Sequence, residues 1–130
     1  MKKATMKPLQ RIWWSAVLAL PLAAQAQLVP VHWGADGVFR QEMKIAPGKF
    51  LEVCDKLPGG TQVQWKFTGS DRTDFNIHYH EGKKVRFPVQ EEGAAASQGT
   101  LAVSSEQDYC WMWSNKGTAD VTLGFELRKR

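Results

Sequence analysis

The chain has 130 residues, with 17 Lys or Arg against 13 Asp or Glu. Four of the basic residues and none of the acidic ones fall within residues 1–26, so residues 27–130 carry 13 of each and no net charge, which leaves no basic excess to argue for nucleic acid. These 104 residues (130 − 26) are enough for one domain with a single core, though a marginally stable one without covalent help.

The first 26 residues have the features of a secretory signal peptide. A basic start is followed by an apolar run that begins at Ile12 and by the small-residue sequence Ala24-Gln25-Ala26. This order predicts cleavage before Gln27. A retained membrane anchor is the alternative, but the apolar run is shorter than the roughly 20 residues that span a bilayer. No later segment is apolar enough to span a membrane, so the sequence predicts a periplasmic or secreted protein.

After an N-terminal arm at residues 27–37, apolar and polar residues alternate in short runs. A period of two is typical of strands that bury one face. Seven or eight such runs, separated by turns such as Gly69-Ser70-Asp71, predict an all-β domain over residues 38–130, a single antiparallel β-sandwich. Residues 91–98 are predicted to form a loop or a single helical turn. The clearest apolar runs are Val63/Trp65/Phe67, Phe75/Ile77/Tyr79, Tyr109/Trp111/Trp113 and Val121/Leu123/Phe125/Leu127.

The predicted exported domain contains two cysteines, Cys54 and Cys110. Export to an oxidising compartment favours a disulfide, and a pair without a third candidate predicts one bond between them. The alternative is two free thiols that bind copper or carry out redox chemistry. The separation of 56 residues (110 − 54) and the lack of a Cys-x-x-Cys motif argue against it.

The order of these runs resembles a known family. Cys54 is followed by GTQVQWKF and then by DFNIHYHEGKKV, while Cys110 lies in YCWMWSN, residues 109–115. In this order the chain resembles the GOLD (Golgi-dynamics) domain, the β-sandwich found in the lumenal part of eukaryotic secretory cargo receptors. The resemblance implies a jelly-roll-like sandwich, a Cys54–Cys110 disulfide and non-catalytic binding. Cargo receptors continue into a coiled coil and a membrane span, whereas this chain ends at Arg130, so a trafficking role is not implied.

Two histidines on one predicted strand form the first candidate site. His78 and His80 are two residues apart, so they share the strand face opposite Phe75 and Ile77. Neutral imidazole nitrogen suits zinc and copper, and Glu81 at the adjacent turn could supply a third ligand. His32 could reach the pair only if the arm packs there. The alternative is an ordinary solvent-facing strand face.

Tryptophans form the second candidate. If Trp33 in the arm and Trp113 near a strand end are partly exposed, they provide a surface for a sugar, a lipid or a peptide. The alternative is a tryptophan-rich interior in which Trp113 meets Trp65 and Phe67.

The sequence lacks the motifs of common enzyme classes. It has no Gly-x-Ser-x-Gly, no glycine-rich phosphate loop and no His-Glu-x-x-His. We therefore expect a non-enzymatic, exported binding module of the cell envelope whose partner is a protein, a lipid or another envelope component. The alternative is a periplasmic copper- or zinc-binding protein that uses the His78/His80 pair; no other cofactor is predicted.

Overall fold

The structure is a computed structural model that describes residues 3–5 and 27–130. The predicted cleavage site and almost all of the predicted signal peptide lie outside the described residues. Within the described ranges, no helix combines the length and the apolar character needed to cross a membrane. The described chain forms seven strands: β1 (Gln27–Pro30), β2 (Val38–Ile45), β3 (Phe50–Leu57), β4 (Gln62–Glu81), β5 (Lys84–Ala102), β6 (Gln107–Ser114) and β7 (Val121–Lys129).

The strands belong to one sheet in the order β1-β3-β6-β4-β7-β2, with β5 paired to β4 beside this path. Strand β4 changes neighbours along its 20 residues. Residues 63–69 pair with β7, and residues 74–78 pair with β6. Strand β5 follows β4 over both parts. The β4–β5 hairpin therefore belongs to both halves of the sheet.

A bulge bends β4 between these halves. From Thr68 to Thr73, β4 advances five residues (73 − 68) while its partner β5 advances two, from Ala96 to Ala94. Extra residues on one strand bend it and increase its twist. The predicted turn at residues 69–71 is therefore wrong, because these residues lie within one bent strand. The predicted loop or helical turn at residues 91–98 is also a strand, which bends with β4 at Gly93, where φ is 62°.

The two halves of the sheet face each other across an aromatic core. Trp113 of β6 stacks on Phe125 of β7 with ring centroids 5.0 Å apart, although these strands are not neighbours in the sheet. Phe67 of β4 meets the edge of Trp113 at 5.7 Å. Contacts between unpaired strands show that the sheet curls over its own core, so the predicted all-β sandwich is confirmed. Its largest fully buried side chains include Trp111, Trp113, Phe75, Leu51, Leu123 and Leu127.

The predicted N-terminal arm contributes an edge strand. Residues 27–30 of β1 pair with residues 51–54 of β3 in the parallel sense, so the sheet is mixed rather than purely antiparallel. Val29 and Trp33 pack against the core. The indole Nε1 of Trp33 donates a hydrogen bond to Asp55 Oδ2, and Lys129 Nζ lies 5.0 Å from the Trp33 ring centroid.

The disulfide predicted between Cys54 and Cys110 is confirmed. The two cysteines are directly opposite each other on the antiparallel strands β3 and β6. Their neighbours Val53 and Trp111 are fully buried, so the alternation of the strands places the disulfide on the outer face of the sheet. The bond therefore joins two strands that the hydrophobic core already holds on the other side.

Replacing one cysteine tests the contribution of this bond. Cys54→Ser is expected to lower the free energy of unfolding by about 4 kcal/mol, because the disulfide restricts a loop of 56 residues in the unfolded chain. Urea unfolding measures the loss, and a thiol assay on the denatured, unreduced wild type should read zero. Two reactive thiols per wild-type chain would contradict the bond.

A glycine on the inner face of β5 makes room for a core tryptophan. A Cβ atom at Gly99 would lie 2.6 Å from Cζ2 of Trp65, whereas a Cβ atom at Gly124 of β7 would meet nothing closer than 3.9 Å. Gly99→Ala is therefore expected to cost about 1–3 kcal/mol of stability by overpacking. Gly124→Ala is the matched control and should change the urea midpoint little; equal losses in both variants would contradict this role of Gly99.

Candidate functional site

The two halves of the sheet present two different outer faces. The first, which we call the histidine face, carries Glu52, Asn76, His78 and His80 beside the disulfide. The second, which we call the basic groove, is formed by β2, β7, the first part of β4 and the second part of β5.

His78 is the most enclosed polar side chain of the histidine face. Its side chain is 8% exposed, and its Nε2 atom lies 3.2 Å from Oε1 of Glu52, which is 17% exposed. Its Nδ1 atom lies 2.7 Å from Oδ1 of Asn76. The ring of Phe87 covers it from β5 with centroids 5.9 Å apart. A histidine with both nitrogens facing oxygen atoms is held in one orientation, and Nε2 is aimed at the carboxylate.

Burial sets the protonation of this histidine. Loss of water around the ring lowers the pKa of His78, the carboxylate of Glu52 raises it in part, and His80 lowers it again. The net direction is downward, so the neutral ring is favoured near neutral pH. If the neutral ring donates Nδ1–H to Asn76, the lone pair of Nε2 points at Glu52, and this arrangement favours a cation between the two atoms.

The structure brings together part of the predicted metal site. His78 and His80 share one face, with ring centroids 5.5 Å apart. Glu81 is exposed at the hairpin and pairs with Arg86, whose Nη2 lies 3.7 Å from its carboxylate. His32 is exposed in the segment after β1. Glu52 is the carboxylate next to His78, and sequence reasoning missed it because it lies two strands away.

The tryptophan surface is not formed as predicted. Trp113 is 1% exposed, because position 113 lies on the inner face of β6 among the aromatic rings of the core. Trp33 is half-buried, and its indole nitrogen is bonded to Asp55. The expectation that Trp113 contributes to a binding surface is therefore wrong, and Trp33 presents only part of its ring.

The basic groove is organised around one carboxylate. Arg40, Glu126 and Lys66 lie opposite one another on adjacent strands. Arg40 Nη2 is 2.8 Å from Glu126 Oε2, Lys66 Nζ is 3.8 Å from the same atom, and Arg128 Nη2 is 3.3 Å from Oε1. The hydrogen bond from Arg40 is the main reason that the pKa of Glu126 is lowered. Glu126 is therefore charged and holds three cations around it.

The positive side chains of this cluster are much more exposed than its carboxylate. The side chains of Arg40, Lys66 and Arg128 are 65%, 62% and 42% exposed, while that of Glu126 is 13% exposed. Three positive charges surround one covered negative charge, and a second, exposed carboxylate, Glu42, lies at the β2 end of the groove. The lining therefore has three cations against two carboxylates, a net charge of +1 (3 − 2), and the positive charge is concentrated around Glu126. This local excess is hidden in the sequence, where residues 27–130 have no net charge and the three cations come from distant positions.

The cluster lies between two shallow depressions that both include Lys66 and Glu126. One, of about 450 Å³, continues past Arg128 to Thr100 of β5. The other, of about 500 Å³, runs over Gly124, which has no side chain, towards Glu42 of β2. Together they form a groove across four strands.

The comparisons with known proteins concern the fold. No protein-family model and no curated protein sequence matches the chain. Among solved structures, the periplasmic inhibitor of g-type lysozyme PliG from Aeromonas hydrophila is similar, with a TM-score of 0.63, 15% identity, and coverage of 82% of this chain and 98% of that chain. PliG from Salmonella Typhimurium has a TM-score of 0.57, 9% identity, and coverage of 82% and 100%.

A third similar structure is the pre-peptidase C-terminal domain of a collagenase from Bacillus anthracis. Its TM-score is 0.51 at 6% identity, with coverage of 82% of this chain and 95% of that chain. These likenesses support a β-rich sandwich, and at such low identities they establish the fold alone. They do not confirm the resemblance to the Golgi-dynamics domain.

The buried histidine predicts how stability changes with pH. A histidine whose pKa is lower in the folded state binds fewer protons there, so stability falls as the pH drops below the ordinary value of 6.5. In urea unfolding between pH 7.5 and 5, His78→Gln is expected to lose less stability than the wild type. His80→Gln removes the neighbour that contributes to the lowered pKa of His78, so it should lose less stability than the wild type but more than His78→Gln; identical curves for all three proteins would contradict this effect.

Proposed function

We propose that the chain is an exported, non-enzymatic module that binds a protein partner in the cell envelope through the basic groove. The observation that carries this proposal is the row of Arg40, Glu126 and Lys66, with Arg128 beside it, in which three exposed cations surround one covered carboxylate. Charges arranged in this way guide association and select partners of opposite charge. The strands fix the backbone of the row, so the ordering cost on binding is confined to its exposed side chains.

The partner that this surface best complements is a lysozyme-type glycoside hydrolase. Two of the similar folds belong to periplasmic inhibitors of g-type lysozyme. Most glycoside hydrolases place two carboxyl groups on either side of the scissile bond, so their substrate clefts contain acidic groups. A positive groove is complementary to such a cleft, and a protein that covers it would block the substrate.

An inhibition assay with charge-reversal variants tests both parts of the proposal. The wild type is expected to inhibit a g-type lysozyme, and Lys66→Glu should weaken inhibition about tenfold or more, because attraction is replaced by repulsion. Lys56→Glu is the matched control: this lysine is 67% exposed and also pairs with one glutamate, Glu106, but it lies on β3 in the other half of the sheet.

The results distinguish the identity of the partner from the location of the binding surface. Lys56→Glu should inhibit as well as the wild type, and added salt should weaken inhibition, because exposed charges are screened. Failure of the wild type to inhibit at micromolar concentration would refute a lysozyme partner. Equal inhibition by Lys66→Glu and the wild type would refute the groove as the binding surface.

Metal binding on the histidine face is the second candidate, which we propose because His78 Nε2 lies 3.2 Å from Glu52 Oε1. Zinc and copper at His78 and His80, with Glu81, remain the prediction from sequence, while the structure favours Glu52 as the carboxylate ligand. Two or three donors would form an open coordination shell and hold a metal weakly.

A further inference from the structure

The disulfide lies within a cluster of metal-binding side chains. Cys54, Cys110 and His78 are aligned across β3, β6 and β4, and Glu52 reaches over β6 to the same point. The Sγ atom of Cys54 is 3.7 Å from Glu52 Oε1, and that oxygen is 3.2 Å from His78 Nε2. The donor atoms of Glu52, His78 and Cys110 all lie within 4.8 Å of one another.

These separations resemble the edges of a tetrahedral metal site. Zinc binds sulfur at about 2.3 Å and nitrogen or oxygen at about 2.0–2.2 Å. A tetrahedron with such bonds places neighbouring ligand atoms about 3.3–3.8 Å apart. The Glu52–His78 and Glu52–Cys54 separations of 3.2 and 3.7 Å are close to this range.

We propose that reduction of the Cys54–Cys110 disulfide creates a four-ligand site for zinc or a similar thiolate-binding divalent metal, formed by Glu52, Cys54, His78 and Cys110. While the disulfide is intact, both sulfurs are occupied by their mutual bond, so the oxidised protein offers only Glu52 and His78 from this set. The two sulfur atoms can therefore be bonded either to each other or to the metal, but not to both.

The reaction is a thiol–disulfide exchange followed by metal binding. A dithiol reductant transfers two electrons to the bond, becomes a disulfide itself, and leaves Cys54 and Cys110 as thiols. Binding of the divalent cation then releases both thiol protons to solvent, since thiolate is the ligand form. Each sulfur can turn about its own Cα–Cβ bond while the paired strands keep their register.

The surroundings of His78 support a metal ligand. Asn76 Oδ1 lies 2.7 Å from Nδ1 and can accept its proton, which leaves the lone pair of Nε2 directed at the cluster. Such a partner at the second nitrogen is usual for metal-bound histidine. The ring of Phe87 lies against His78 from the β5 side, and the side chain of His78 is only 8% exposed, so little water reaches it. The surrounding side chains thus orient the ring before any metal arrives.

Metal titrations of the same purified protein in two redox states test the site. After reduction with a phosphine, the protein is expected to bind one zinc ion per chain in competition with a chromophoric chelator, and cobalt should give a thiolate charge-transfer band. The oxidised protein should bind at least about 100-fold more weakly, because two of the four ligands are missing. Equal affinity in both states, or no binding after reduction, would overturn the proposal.

Histidine variants identify the nitrogen ligand. His78→Ala should weaken zinc binding to the reduced protein more than about tenfold, since even partners outside the ligand shell contribute that much. His32→Ala is the matched control, because it also removes one imidazole but His32 is exposed in the segment after β1, outside the cluster, and it should bind as the wild type. An unchanged affinity in His78→Ala would exclude the four-ligand set.

Folding is measured in the same samples, because the reduced chain loses the stabilisation of the disulfide. Tryptophan fluorescence should show the native core in the zinc-loaded reduced protein, whether or not the metal-free reduced protein is folded. Zinc bound to a chain with the fluorescence of the urea-unfolded protein would show that cysteines alone capture it, which contradicts the site. This test uses reduced protein and histidine variants, so its result is independent of lysozyme inhibition through the basic groove.

Discussion

The architecture depends on one bent strand. The first part of β4 pairs with β7 and its second part with β6, and the bulge between them turns the inner face of one part towards the other. Phe67 and Phe75, on either side of the bulge, meet with ring centroids 4.7 Å apart. Lys66 and His78 point outward from the same two parts. The bend that closes the core therefore also sets the positions of the basic groove and the histidine face.

Alternation with a period of two was enough to predict the strands and most of the core, because burial of one face is a local pattern. It was not enough to predict how the strands join. Residues 69–71 have turn chemistry, yet they form the bulge of a continuous strand, since β5 continues alongside on its other edge. Pairing partners of a long bent strand are distant in sequence, and local patterns cannot distinguish a bulge from a turn. The parallel β1 strand, added next to β3, was hidden for the same reason.

The two candidate surfaces differ in how much the sequence revealed. The shared face of His78 and His80 follows from their spacing alone. The carboxylate near them could not be predicted, because the approach of Glu52 to His78 requires the order β3-β6-β4. The basic groove has no local signal: Arg40, Lys66 and Arg128 come from three strands, and their charges cancel in the total. Strand order, rather than composition, separates the charges into a positive face.

The covered carboxylate of Glu126 determines what the basic groove can recognise. It orients Arg40 and Arg128 from the middle of the row and neutralises one charge of three, which lowers repulsion among the cations without removing their field. Because Glu126 is 13% exposed, a partner meets mainly the cations. An acidic partner can add its own carboxylates to Arg40, Lys66 and Arg128 while Glu126 keeps their positions. A basic partner would be repelled by the three oriented cations. The groove therefore discriminates between partners by their charge as well as by their shape.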